Sequence, residues 1–370
     1  MRMVFDIGGT HFRHAKYVDG TIVASGKELT PSYLRGFTPP EINSLLLELI
    51  VKALGSDKDK VTEIGICYAG PVSSKGSILG SPTIHGMRLE APFELKAAVQ
   101  SHTGIERVWV MNDLSAAVYR YIDLYSSFEL ITVSTGVGNK IVINKQLQIS
   151  ADGFEGELGH VPAYLPSSLP PAYLPSSLPP VYLPSSLPPN HLPAPTPLLT
   201  SVPVQADGLA LPGQEVSIAC PCGHGTNHIG AISSGSGMVE VARQLSRGRL
   251  QVLYGTSALR TLENLTAESI TLACEQGDEF SQHVIDFCTY PLAYAICLTL
   301  SSLYLERVIL MGGVVLNSPC YFESLLNNIL KIGVYNYTDE RLLRTVIKGI
   351  PDDDSGLIGM YRFLQQETGQ

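Results

Sequence analysis

No run of lysine or arginine occurs in this chain: 25 basic residues are scattered against 34 acidic ones over 370 positions, a net charge of -9. Phosphate backbones are bound by clustered positive charge, so nucleic acid is not expected as the main partner and a small-molecule site is. Cysteine is scarce and odd in number, seven in all. The stretch around Met1 also lacks the basic and apolar regions of a secretory signal, so a reducing cytoplasm is the expected setting. Long unbroken apolar runs are missing too. The nearest approach, from Val284 to Leu305, is interrupted by Asp286, Pro291 and several Ser and Thr, and no positive cluster flanks it. This predicts a buried core helix and no membrane span. What remains is 45% hydrophobic and 16% charged with 34 glycines, a composition that suits one or two cored α/β domains.

A nine-residue unit, YLPSSLPP plus one variable residue, begins at Tyr164, Tyr173 and Tyr182 and decays at His191. Proline at three positions of each unit removes backbone donors and forbids helix, and no alternation supports a strand. Residues 164–200 therefore read as an inserted, extended surface loop. A proline-rich ligand for an aromatic-lined groove is the alternative.

The flanking sequence is more regular. MRMVF (1–5) is a short apolar run that breaks at DIGGTHFR (6–13) and resumes as a returning strand. Gly8 and Gly9 let the backbone approach a ligand and Thr10 offers a hydroxyl, although a plain hairpin turn would use the same residues. LITVSTGVGNKIVINKQL (130–147) repeats the grammar, placing Ser134, Thr135, Gly136 and Gly138 between β-branched runs, in a turn suited to anions. In RVILMGGVVLNSP (307–319), Gly312 and Gly313 follow a strand and lead toward a helix near Pro319, a junction of the kind that brings N–H groups to nucleotides. RVWVMNDLSAAVYRYI (107–122) is an apolar strand ending at Asn112 and Asp113. A carboxylate at such a strand end lies where open α/β folds hold ligands, which makes Asp113 the candidate general base; capping of the next helix is the competing role.

DIGGTHFR, the MND strand end, VSTGVGNKIV, GELGH (156–160), CPCG and RVILMGGV resemble, in order and spacing, the ROK family of sugar kinases. The resemblance covers nearly the whole chain outside the repeat. It implies a two-domain α/β architecture, the actin/hexokinase/Hsp70-type ATPase fold related to ribonuclease H, with an interdomain cleft. The smaller domain would span 1–111 and take back a C-terminal helix within 354–370; the larger would span 112–353. The resemblance further implies an ATP-dependent carbohydrate kinase, cytoplasmic and homodimeric, with ATP and Mg2+ as cofactors and a small sugar as partner. Asp113 would be the base and Asn112 would bind substrate. Asp6, Gly8, Gly9 and Thr10 would form one phosphate loop, with Asp6 facing magnesium, while Thr135, Gly136 and Gly138 form the other. Gly312 and Gly313 would lie on the adenosine side, near the N-terminus of a helix over 233–248. Glu157 would bind sugar hydroxyls, and His160 would touch the sugar and ligate a structural zinc.

The family's remaining zinc ligands come from a C-x-C-G-x-x-G-C-x-E segment, matched here by CPCGHGTNHIG from Cys220. Cys220, Cys222 and Gly223 match, whereas the third cysteine falls beside Asn227 and the sugar-binding Glu is replaced near Ile229. His224 or His228 could complete a Cys2His2 set, and His228 is closer to the lost position. The family's P-N-x-x-G-W stretch is altered as well, to SPTIHGM (81–87), with Thr83 standing where Asn would contact the sugar. A site short of one carboxylate no longer pairs every glucose hydroxyl, so a modified hexose, an amino or N-acyl sugar, or a cyclitol is favoured over plain glucose. A catalytically weakened sugar sensor or scaffold of the same fold is the alternative, but a pure binder has no need of Asp113. The family's DNA-binding repressors carry a helix-turn-helix module ahead of the first glycine turn, which here begins at Asp6.

The repeat holds no candidate catalytic group. Deleting Tyr164 through Pro189 is therefore expected to leave kcat/KM within about tenfold of the parent. Because loop-closure entropy varies slowly with length, stability should change by about 1 kcal/mol. Kinetics and the melting temperature of the deletion variant check both.

Overall fold

The computed structural model describes residues 1–165, 216–261, 264–351 and 354–368. The expected insertion lies outside them except for Tyr164 and Leu165; the Tyr164 ring stacks on Tyr294 at 4.5 Å.

Two five-stranded sheets share one plan. In the first, β1 (Arg2–Ile7) turns back through β2 (His11–Val18) to β3 (Thr21–Leu29), while β4 (Glu63–Tyr68) and β7 (Val108–Asn112) run parallel to β1 on its other side. In the second, β8 (Phe128–Val133) turns back through β9 (Val137–Ile143) to β10 (Gln146–Leu147), with β11 (Arg307–Met311) and β12 (Val346–Lys348) parallel on the other side. The orders are β3-β2-β1-β4-β7 and β10-β9-β8-β11-β12. Each glycine-rich hairpin thus occupies the same place in its sheet, beside the central parallel strands. A separate ribbon, β5 (Ile78–Ser81) with β6 (Met87–Phe93), stands apart from both.

Helices cover both faces of each sheet, which is why the central strands read as continuous apolar runs rather than alternating ones. α1 (Pro39–Leu54) and α2 (Leu95–Thr103) pack on one face of the first sheet. The spacing of Ile42, Leu46, Ile50 and Leu54 keeps one stripe of α1 buried, and Thr38 with Glu41 closes its start as a capping box. The other face, through Val4 and Cys67, meets α12 (Ser355–Thr368) by way of Leu357, Met360 and Leu364.

α3 (Asp113–Val118) lies between α12 and the second sheet, giving Ala116 to one core and Ala117 and Val118 to another that contains Phe128, Leu130 and Ile309. The far face of that sheet carries the largest core. It is built with α4 (Ile229–Ser233), α5 (Gly235–Arg247), α6 (Gln251–Thr256), α7 (Ala267–Glu275) and α8 (Glu279–Ser302). After β11 come α9 (Gly313–Asn317), α10 (Pro319–Ile332) and α11 (Asp339–Thr345). The short α9 is an addition to the sequence expectation: the helix at Pro319 is present, but the chain already turns helical at Gly313. Among the described residues α8 is the one helix long and apolar enough to cross a membrane, and 67% of its apolar window is buried inside the protein. This is the placement of a core helix.

Candidate functional site

Strand β7 delivers two polar residues in succession, and the fold divides their labour. Asn112 is the N-cap of α3: its Oδ1 accepts from the Leu114 and Ser115 N–H groups at 3.0 and 3.2 Å, and its Nδ2 donates to the Gly70 carbonyl at 3.1 Å. Asp113 is therefore relieved of the main capping role, although its Oδ1 also accepts from Leu114 N–H at 2.8 Å. Burial raises the Asp113 pKa to about 6, with the Asp6 charge adding to the effect and the Leu114 N–H and Lys140 opposing it. That is the range of a general base working near neutrality. Asn112 still lines a cavity, but much of its amide is committed to the protein.

Three cavities form a track past Asp113. The first, about 340 Å3, is lined by Asp6, Gly8, Arg13, Asp113, Thr132, Gly312 and Gly313 among others. Asp6 and Arg13 face each other across the β1/β2 ladder, Arg13 Nη2 lying 2.6 Å from Asp6 Oδ2. The hairpin turn is held by Gly8 N–H donating to the His11 carbonyl at 3.0 Å. Gly9 and Thr10 belong to this turn, next to the cavity lining.

Thr83 lies beside the first hairpin. It is not among the residues lining the cavity that Pro82, Gly86 and Arg88 help to form; its side chain lies against Gly9, where an added Cβ would come within 2.7 Å of it. The Ser81 hydroxyl lies 2.9 Å from the Thr83 hydroxyl.

The second cavity, about 780 Å3, shares Gly313 and Asn317 with the first and adds Ser134, Thr135, Gly235, Ser236, Leu272 and Val314. The second hairpin is fastened to the start of α5: Gly235 N–H donates to the Ser134 carbonyl at 2.7 Å, and Ser236 Oγ donates to the Thr135 carbonyl at 2.7 Å. The positive end of α5 thus lies beside the turn, which suits anions. Gly312 has φ +89°, and a Cβ there would sit 2.3 Å from the Val133 carbonyl oxygen. Only glycine allows this approach. Gly136, at the tip of the turn, has open space around it.

The third cavity, about 920 Å3, shares Asp113, Leu114 and Thr132 with the first and extends over Gly138, Asn139, Lys140, Glu155, Glu157, His160, Arg88 and His224. Its floor is the 155–160 segment, clamped by two successive residues of β9. Asn139 N–H donates to the Gly156 carbonyl at 3.2 Å and Asn139 Oδ1 accepts from Leu158 N–H at 3.3 Å. Lys140 Nζ donates to both the carbonyl and the carboxylate of Glu155 at 2.7 Å. The glycine of this motif follows from the clamp: Gly156 has φ +81°, and a Cβ there would lie 1.9 Å from the Asn139 carbonyl oxygen. Gly156→Ala should therefore lift the segment off β9 and raise the KM for the molecule bound in this cavity by more than about tenfold. Ligand binding in the second cavity should be spared, and titrating the two ligands separately checks the split.

At the rim, His160, Cys220, Cys222 and His228 bring their donor atoms within 4.8 Å of one another. His160 Nδ1 is 3.3 Å from Cys220 Sγ and Cys222 Sγ is 3.4 Å from His228 Nδ1. An isolated bridge Ala219↔Thr226 ties the cysteine segment back on itself, and Pro162↔His228 ties it to the chain just after His160. Two thiols and two imidazoles in a closed set fit tetrahedral zinc. His228 belongs to this cluster and His224 does not, although both line the third cavity.

Sequence reasoning missed Arg13, Asn139 and Lys140. A signal existed for the first, which stands opposite Asp6 in any tight hairpin around GGT. Lys140 and Asn139 offered a weaker one: polar residues in a strand that is otherwise Val, Gly and Ile.

The profile of the ROK family matches residues 2–367. The sequence is 24% identical to a C(7)-cyclitol 7-kinase of Streptomyces hygroscopicus subsp. limoneus, over 99% of this chain and 94% of that protein. The structure is similar to a ROK family glucokinase from Streptomyces griseus in complex with glucose and AMPPNP, with TM-score 0.63, 20% identity and 99% of each chain covered. It is also similar to a ROK family transcriptional regulator, a homolog of the E. coli MLC protein, with TM-score 0.68 and 17% identity, over 98% of this chain and 77% of that one.

Proposed function

The chain belongs to the ROK family, and from that premise we propose that it is a kinase that transfers the γ-phosphoryl group of ATP to a hydroxyl of a sugar or sugar-like acceptor. The observation that carries this reading is the position of Asp113 in the wall shared by the first and third cavities. An acceptor resting on 155–160 places a hydroxyl beside that carboxylate, and ATP lying along the second cavity brings its γ-phosphate into the first. The hydroxyl oxygen bonds to the γ-phosphorus as its proton passes to Asp113, and the bond to ADP breaks. Little covalent work is asked of the protein, and positioning and charge do the rest.

Asp6, 4% exposed in the first cavity, is the carboxylate suited to face magnesium, which when bound neutralises phosphate charge. Arg13 adds fixed positive charge in the same chamber. Glu157 and His160 contact the acceptor, and His160, Cys220, Cys222 and His228 hold a structural zinc that fixes the rim.

The acceptor is a modified hexose, an amino or N-acyl sugar, or a cyclitol in preference to glucose. Support comes from the altered segments near Thr83 and Ile229 and from the similarity to a cyclitol kinase over almost the full length. A panel of hexoses, amino sugars, N-acyl sugars and cyclitols, followed by acceptor-dependent ADP release, tests the reading. Release with at least one non-glucose acceptor is expected. Acceptor binding without any release would favour the sensor instead.

A further inference from the structure

Behind the third cavity, away from any ligand, a carboxylate is buried for which the proposed reaction has no use. Glu129 on β8 is fully buried, the one charged residue in a strand that otherwise carries Phe, Leu, Ile, Thr and Val. Its Oε1 accepts from Asn139 Nδ2 at 2.8 Å, and its Oε2 is enclosed, with the Thr299 hydroxyl as the polar group nearby. The same Asn139 amide uses its oxygen to hold Leu158 N–H at the centre of the 155–160 segment.

We propose that Glu129 is a positioning residue for acceptor recognition, acting through Asn139 to set the segment that carries Glu157 and His160. The inference rests on the reading of that segment as the acceptor floor. An ionised carboxylate only accepts hydrogen bonds, so it forces the NH2 of Asn139 toward itself and the carbonyl oxygen toward Leu158. An amide free to turn over would present its NH2 to the Leu158 N–H and lose that bond. The geometry therefore couples the charge of one buried group to the seating of the acceptor.

The coupling implies a pH response. Burial is what raises Glu129, to about 7, and the hydrogen bonds of Asn139 from β9 and Thr299 from α8 oppose it. Val308 of β11 and Ile141 of β9 flank it in register, and no charged side chain among the described residues contributes to the shift. As pH falls through this range the carboxyl takes up a proton and becomes able to donate, and the orientation of Asn139 is then fixed from the Leu158 N–H side alone. Stability moves the other way: the folded pKa lies above the ordinary 4.5, so protonation relieves the fold of a buried charge. Acceptor affinity and stability should thus change in opposite directions, which a merely structural residue would not produce.

The test is Glu129→Gln, measured for KM of acceptor, KM of ATP, kcat and melting temperature between about pH 5.5 and 8.5. At the alkaline end the variant should have an acceptor KM raised about tenfold, the loss of one hydrogen-bond constraint, with kcat and the KM for ATP changed less than about twofold. Its melting temperature should exceed that of the parent there, and both differences should shrink as pH falls. Asn139→Ala cuts the link at its other end and should reproduce the KM split; the double variant should be no worse than the more impaired single one. Equal acceptor KM in parent and Glu129→Gln at alkaline pH overturns the proposal, as does a parallel rise of both KM values with a lower melting temperature. Amide hydrogen exchange at Leu158 judges the link without catalysis: faster exchange in Glu129→Gln is expected, and unchanged exchange refutes it. If no acceptor supports ADP release, the kinase reading falls while the exchange result still decides the role of Glu129.

Discussion

Asp113→Asn should fold, bind ATP and lose turnover by about 10³-fold, the contribution of a well-placed general base. The amide preserves the shape of the carboxylate and its bond from the Leu114 N–H, so the start of α3 and its cap at Asn112 are undisturbed. What disappears is the acceptor for the hydroxyl proton. Single-turnover kinetics with saturating acceptor check the loss, and near-normal kcat in the variant would remove Asp113 from the mechanism.

The pH profile of the parent provides a companion measurement. Because burial and the neighbouring Asp6 raise Asp113 to about 6, kcat/KM should climb as pH rises through that value and level off above it. Stability runs in the opposite sense. A carboxylate raised above its ordinary 3.8 binds its proton more tightly in the folded state, so the fold loses stability as pH rises from the ordinary value toward 6. Asp113→Asn should accordingly be at least as heat-stable as the parent at about pH 8, a trade of stability for function common at active sites. A lower melting temperature for the variant at that pH would contradict the assignment of burial as the main cause.

The second large effect concerns the Cys/His set. Protein purified without chelator should carry about one zinc per chain, and Cys222→Ser should lose it. Stripping the metal leaves two thiols and two imidazoles converging without a centre, in a 218–228 segment otherwise held by local hydrogen bonds around Asn227 and by the burial of Ile218 and Cys220. Metal binding is folding free energy for such a segment. The expected result is a melting temperature lowered by several degrees and an acceptor KM raised more than the KM for ATP, because His160 belongs both to the metal set and to the third cavity. Re-addition of zinc should restore the parent, and full activity of metal-free protein would show that the cluster is held by its hydrogen bonds alone.

The glycine-rich hairpins at 6–13 and 130–147, the strand ending at Asn112 and Asp113, and the turn at Gly312 were legible because each is written in a few contiguous residues. A strand, a tight turn and a returning strand impose local spacing that survives any packing. The family follows from the order of such segments along the chain, and that order needs no coordinates. Substitutions near Asn227 and Ile229 were equally visible, since they are departures from a pattern at known positions.

Partnership across space was decided only by the tertiary structure. Whether Asn112 or Asp113 caps α3 depends on backbone geometry that places Asn112 Oδ1 over two N–H groups. His228 rather than His224 joins Cys220, Cys222 and His160 because a bridge to Pro162 brings it alongside a segment far away in sequence. Thr83 was read from its place in a motif, and its contact with Gly9 appears only in the tertiary structure. The pairing of Glu129 with Asn139, and of Lys140 with Glu155, leaves no periodic trace, since a single buried polar residue in an apolar strand looks the same whether its partner is present or not. Local pattern determined the glycine hairpins, the strand end at Asp113 and the family, because turns and strand ends are short-range. Which side chains share an electric field or a ligand was settled by the packing of two sheets around α3 and α12, a long-range outcome that sequence spacing does not encode.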